Sequence, residues 1–146
     1  MSTPSPYDDA AIDGVPLVPL PVVARAATLR DCILMIDASG IDVVAIDELP
    51  LLVVDSRVIM RALARGSSLD DPAAAVARPP VRFAHHDQLI DVIRKLVGTP
   101  AQAAIIDDGH GTIKGVVRLG DALATILGGP QWIAALRVAL HIEASP

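Results

Sequence analysis

The chain carries one pattern twice, about sixty residues apart. Leu29, Asp31, Ile33, Ile36, Val43, Ile46 and Asp47 are matched sixty positions later by Leu89, Asp91, Ile93, Leu96, Ala103, Ile106 and Asp107, without a gap. Further on the offset becomes 63, and Val53-Val54 falls on Val116-Val117. A repeat constrains the fold more than any single motif, because each copy is a supersecondary unit that cannot bury its apolar face alone. Two copies predict a pseudo-symmetric domain with a cleft between them. The scaffold repeats but the chemistry does not. Where the second copy reads Gly115-Val116-Val117-Arg118-Leu119-Gly120-Asp121, the first reads Leu52-Val53-Val54-Asp55-Ser56-Arg57-Val58.

At 146 residues the chain is one domain's worth of polypeptide, enough to bury roughly 70% of its unfolded surface. Its apolar residues make up 52% of the sequence and aromatics only 2%, so the core must be built from Ala, Val, Ile and Leu. No apolar run approaches the roughly 20 residues a membrane helix needs. The apolar surplus therefore belongs in a core or between subunits. A net charge of −5 argues against a broad nucleic-acid footprint, which needs clustered Lys and Arg. Cys32, the single cysteine, has no internal partner for a disulfide. No basic residue precedes Arg25 and no clean apolar segment follows, so no signal peptide is expected. These features together predict a cytoplasmic protein.

Residues 1–19, rich in Ser, Pro and Asp, read as a flexible arm. The first repeat spans 20–66. Leu20 to Val23 suits an edge strand, since Pro21 cannot donate to a central ladder. Thr28, with Asp31 three residues on, predicts a capped helix to Ser39, stopped by Gly40. Strands follow at 42–47 and 51–54, then a helix capped by Ser56 and ended by Gly66. Residues 67–80 form a linker. The second repeat, 81–128, gives a strand at 81–84 and a helix capped by Asp87. The apolar spacing Leu89, Val92, Ile93, Leu96, Val97 is that of one helix face. Strands at 102–107 and 112–117 and a helix from Leu119 to Leu127 complete it. Residues 129–146 predict a last helix opening at Pro130, with Trp132, Ile133, Leu136, Ala139 and Leu140 on one broad apolar face and Val138 and Ile142 off it.

The strand–helix–strand–strand–helix order, its repetition and the run Gly115-Val116-Val117-x-x-x-Asp121 resemble a tandem pair of cystathionine-β-synthase (CBS) domains, or Bateman module, over about Leu20 to Leu127. The resemblance implies an α/β (α+β) fold of two pseudo-symmetric repeats packed as a CBS pair. It also implies an adenosine-type ligand, most often an adenine nucleotide. In the family pattern a Gly is followed by two apolar residues, a Thr or Ser that contacts phosphate, and an Asp that receives the ribose hydroxyls. Copy two keeps Gly115 and Asp121 but has Arg118 for the Thr or Ser. Copy one has Leu52, Asp55 and Val58 at the three places. The carry-over therefore names Asp121, Arg118 and Gly115, with Gln102, Ala103 and Ala104 beside the base, and one site per chain. A guanidinium can replace a hydroxyl as a phosphate ligand, whereas Asp55 would repel phosphate. The helix opening at Leu119 adds free N–H groups and a positive dipole end.

Each residue also has a purely structural reading. Asp121 complements a helix dipole, Arg118 is an ion-paired surface residue, Gly115 permits close strand packing, and Cys32 is a small core hydrophobe. His85, His86, His110 and His141 lack metal-ligand spacing, and Asp70-Asp71 and Asp107-Asp108 are turn residues. No nucleophile–base pair is visible and no cofactor is implied. The expectation is a stand-alone regulatory module, not an enzyme, that binds an adenosine-containing ligand such as AMP, ADP or ATP and signals to a separate partner. The alternative is a ligand-free interaction scaffold. The apolar surplus predicts a homodimer. Light scattering at micromolar concentration should find a particle of twice the 15.2 kDa chain mass; a monomer alone would refute the assignment of the surplus to an interface.

Overall fold

The computed structural model describes residues 12–99 and 101–127. Their elements run β1 (Val22–Val23), α1 (Leu29–Ser39), β2 (Val44–Ile46), β3 (Leu52–Val54), α2 (Ser56–Ala64), β4 (Arg82–Ala84), α3 (Leu89–Val97), β5 (Ala103–Asp107), β6 (Ile113–Arg118) and α4 (Leu119–Leu127). The fold is α+β, with the order β-α-β-β-α occurring twice, as the repeat predicts. The helix expected from Pro130 and the tail after it lie outside the described residues.

The chain divides into two compact units. One is Leu20–Pro80; the other joins the described residues on either side of it. Each holds a three-stranded sheet, β1-β2-β3 or β4-β5-β6, whose first pair is parallel and second antiparallel. In the first unit Leu29 and Cys32 of α1 meet Val44, Ile46 and Val54 of the sheet and Val58, Ile59 and Ala62 of α2. In the second, Leu89, Ile93 and Leu96 of α3 meet Ala104, Ile106 and Val117. Full burial of each large aliphatic side chain contributes about 1.5–3 kcal/mol. Burial also pushes the Cys32 thiol up, with the Asp31 carboxylate adding to the effect, so it stays protonated in the core.

Local chemistry sets the helix ends. Thr28 Oγ1 accepts from Asp31 N at 3.2 Å and Asp31 Oδ2 from Thr28 N at 2.9 Å, the expected capping box. Gly40 ends α1 at φ 70°, a conformation that favours glycine. Two other caps differ from expectation. Asp55, not Ser56, caps α2 by accepting from Val58 N at 2.9 Å. Gln88 precedes α3, and Asp87 instead accepts from Ala84 N at 2.9 Å.

The arm expected over residues 1–19 is corrected for its described part. Ile12 is fully buried and Val15 nearly so, both in the core of the second unit. Beyond them, Val18 and Val116 exchange two backbone hydrogen bonds, of 3.0 and 2.8 Å. The first unit repeats the device. Arg78 and Val53 exchange bonds of 2.8 and 2.9 Å, and Leu29 N and Arg30 N, at the start of α1, donate to Asp71 O and Leu69 O. The segment 67–80 is thus built into its unit. Each short helical turn, Ile12–Gly14 and Ala73–Ala75, leads into one of these bridges. Apolar side chains at Ile12 and Val15 drive the packing; the Pro-rich composition hid them.

The exposed large apolar side chains among the described residues, Val22, Ile33, Leu34, Leu49, Met60 and Leu63, all belong to Leu20–Pro80. On α3 the exposed residues include Asp91, Arg94 and Lys95.

Truncating Ile12 tests the packed segment. Ile12→Ala should lower unfolding free energy by about 2–5 kcal/mol, the range for large-to-small changes in a core. A denaturant titration with an unchanged midpoint would show that the segment is not part of the core.

Candidate functional site

Antiparallel pairing of β5 with β6 sets Ala103 opposite Arg118 and Ala104 opposite Val117. Strand alternation sends Ala104 and Val117 into the core and their neighbours Ala103 and Arg118 to the other face of the sheet. Arg118 is the last residue of β6, and α4 starts at the next position. Leu119 N, in the first turn of α4, donates to Gln102 O at 3.0 Å. Asp121 stands in that first turn, where a carboxylate complements the helix dipole.

The structure thereby brings Gln102, Ala103, Arg118 and Asp121 to one end of the β5–β6 pair. Arg118 Nε donates to Asp121 Oδ2 at 2.8 Å, with the two side chains 43% and 29% exposed. An ion pair this open contributes only about 0–1 kcal/mol. Ala104 is set apart, since its side chain is fully buried in the core. Gly115 is also set apart. It pairs with Ile106, three positions back along β6, and a Cβ there would come 2.8 Å from Val18 O and 3.1 Å from Leu17 Cβ. With φ at 154°, Gly115 is fitted to the lead-in segment 12–18.

Copy one has the same junction with two carboxylates and no guanidinium. Ser56 N donates to Asp42 Oδ1 at 2.7 Å, and Ser56 Oγ to Asp42 Oδ2 at 2.7 Å. Asp55 takes Val58 N, and Val58 is buried in the core of its unit. Asp42 was not among the residues singled out from sequence. The signal for it was present, because Gln102 stands sixty positions on and carries no charge.

The paired turn acids are engaged structurally. Asp107 Oδ2 accepts from Arg82 Nε at 2.6 Å and Oδ1 from Gly109 N at 2.7 Å. These bonds, Arg82's first, hold its carboxyl below the usual range. Asp108 accepts from His110 N at 2.7 Å and Thr112 N at 3.1 Å, which lowers it too. His85 and His86 meet edge to face at 5.5 Å. Among the described residues no group of three or more His, Cys, Asp or Glu gathers as a metal site. Two apolar grooves lie in Leu20–Pro80. One, of about 630 Å³, runs along β1 and α1 past Leu34 and Met35. The other, of about 280 Å³, lies between α1 and α2 beside Ile33, Met60 and Leu63.

Comparison with solved structures gives this architecture a family likeness. A CBS domain protein of Pyrobaculum aerophilum complexed with AMP matches 87% of this chain and 97% of its own, at 19% identity and a TM-score of 0.70. The chain folds as a tandem CBS pair. The CBS domain of a bacterial CNNM/CorC family Mg2+ transporter, in complex with ATP, aligns over 84% of this chain and 90% of its own, with 16% identity and a TM-score of 0.65. A putative acetoin utilization protein of Vibrio cholerae aligns over 94% and 98%, with 18% identity and a TM-score of 0.63. No protein-family model matches the sequence, and no curated protein matches it at a significant level. The CBS-pair likeness therefore rests on backbone geometry. No helix among the described residues is long and apolar enough to cross a membrane.

The Arg82–Asp107 bond gives a pH test. A carboxyl lowered in the folded state leaves the unfolded state holding more protons on acidification, so stability rises with pH across that range. Its contribution is present above the ordinary carboxylate pKa and is lost as pH falls through the depressed one. In Arg82→Ala the Asp107 value moves back up. The loss of urea stability between neutral pH and acid should then be smaller than in the wild type. An equal loss in both proteins would rule out this pair as a source of acid sensitivity.

Proposed function

We propose that the protein is a regulatory module that binds an adenine nucleotide at one site per chain, at the β6–α4 junction of copy two, and passes the signal to a separate partner. The observation that carries this reading is the juxtaposition of Arg118 and Asp121 at the start of α4, both partly open to solvent. Relatives of the same fold are described in complex with AMP and with ATP. Asp121 would accept from the ribose hydroxyls, and Arg118 would turn its guanidinium to phosphate. Gln102 and Ala103 would flank the base, and Gly115 and Ala104 would support the site from the backbone. The existing ion pair does not bar this exchange. Hydrogen bonds to a charged group contribute about 1.5–3 kcal/mol each, more than the exposed pair they replace.

A second reading, a ligand-free scaffold, draws on the same pair, because Arg118 and Asp121 already satisfy one another. The exposed Ile33, Met60 and Leu63 support a homodimer through α1 and α2. We place its work in the cytoplasm, in keeping with the buried, unpaired Cys32.

Calorimetry with AMP, ADP and ATP separates the two readings. One nucleotide should bind per chain, and Asp121→Ala should weaken it at least about tenfold, equivalent to 1.4 kcal/mol. Arg118→Ala should weaken ATP more than adenosine. Val58→Ala, at the equivalent place in copy one, should leave affinity nearly unchanged, although it opens the core. Binding undiminished in Asp121→Ala would refute the assigned site; no binding of any adenosine ligand would favour the scaffold.

A further inference from the structure

The start of α2 already holds two anions that belong to the chain. Asp42 Oδ1 accepts from Ser56 N and Asp42 Oδ2 from Ser56 Oγ, both at 2.7 Å. Asp55 Oδ1 accepts from Val58 N at 2.9 Å. Copy two shows what the same positions do without these charges. Leu119 N, the counterpart of Ser56 N, is tied to the backbone oxygen of Gln102, the counterpart of Asp42. Arg118 stands where Asp55 does. One junction therefore carries two carboxylates, the other a guanidinium and a carboxylate. A backbone N–H and a hydroxyl at a helix start are natural partners for a phosphate, and in copy one both are taken by a carboxylate. Its charge repels a second anion and its oxygens fill the donors' acceptor positions.

We propose that Asp42 is the residue that closes copy one to phosphate-bearing ligands and so confines binding to copy two. Asp42 and Ser56 act together as an internal substitute for a bound anion, with Asp55 reinforcing the charge. This inference deepens the nucleotide-binding reading above and rests on it for the identity of the ligand class.

The test exchanges the features between the copies, with ATP and adenosine as probes in calorimetry. Asp42→Ala combined with Asp55→Ser frees the Ser56 donors and removes both charges. It should add a second ATP per chain, weaker than the first because Val58 offers no carboxylate to a ribose. Asp55→Ser alone should keep the wild-type stoichiometry. The converse change, Gln102→Asp, brings a carboxylate to the start of α4 and should cut ATP affinity at least tenfold, and adenosine affinity less. Gln102 is exposed, so this variant folds even if loss of the Asp42 bonds unfolds the other. A double variant that folds and gains no ATP, a second ATP in Asp55→Ser alone, or Gln102→Asp binding ATP like the wild type would each overturn the proposal. If the wild type binds no ATP while the double variant binds one, the role of Asp42 stands and the copy-two reading falls. If neither binds, both fall.

Discussion

Two pairs of backbone hydrogen bonds, Val18 with Val116 and Arg78 with Val53, close one edge of each three-stranded sheet. An open sheet edge leaves a row of unpaired N–H and C=O groups and invites pairing with other chains. Here each edge is covered by a segment that precedes the other copy in sequence. The cover also brings apolar side chains with it, Ile12 and Val15 in one unit and Ala73 in the other. The two closures are equivalent but not identical. Copy two has Gly115 on the strand and Leu17 on the cover, whereas copy one has Leu52 and Ala77 at the corresponding positions. The large and small residues have changed places. Gly115 is thus explained by packing before any ligand is considered.

Upon this shared scaffold the copies differ in the charges at one junction. Copy one gathers Asp42 and Asp55 around the start of α2; copy two places Arg118 and Asp121 at the start of α4. An open ion pair adds little to stability, so its residues are available for other partners. The Asp42–Ser56 contact is doubled on one carboxylate, which takes both the amide and the hydroxyl of Ser56 at 2.7 Å.

Much of this was legible in the sequence because it is periodic or local. The sixty-residue offset located both copies of the β-α-β-β-α unit. Thr28 and Asp31 announced their capping box, and the spacing from Leu89 to Leu96 announced the buried face of α3. What was illegible depends on contacts between distant residues. Nothing near Val18 shows that it pairs with Val116, and a Pro-rich neighbourhood reads as loose chain. Ser56 and Asp55 are both competent caps; Asp42, fourteen residues away, settles the choice by taking the Ser56 amide. Ala104 looked like room for a base until strand alternation turned it inward. The convergence of Arg118 on Asp121 was written in their three-residue spacing, but which partner each would choose was not.

The exchange of lead-in segments also sets an order of events in time. Arg78 lies 25 residues beyond Val53, whereas Val116 lies 98 residues beyond Val18. Nearly two doublings in loop length add roughly 1.2 kcal/mol of closure entropy, at about 0.6 kcal/mol per doubling. The unit Leu20–Pro80 contains all of its own parts and is complete before the second copy has been synthesised. Its neighbour must recruit a segment that lies before that unit in sequence. One half of the molecule thus closes a short loop within itself, and the other half closes a long one that contains the first half in sequence.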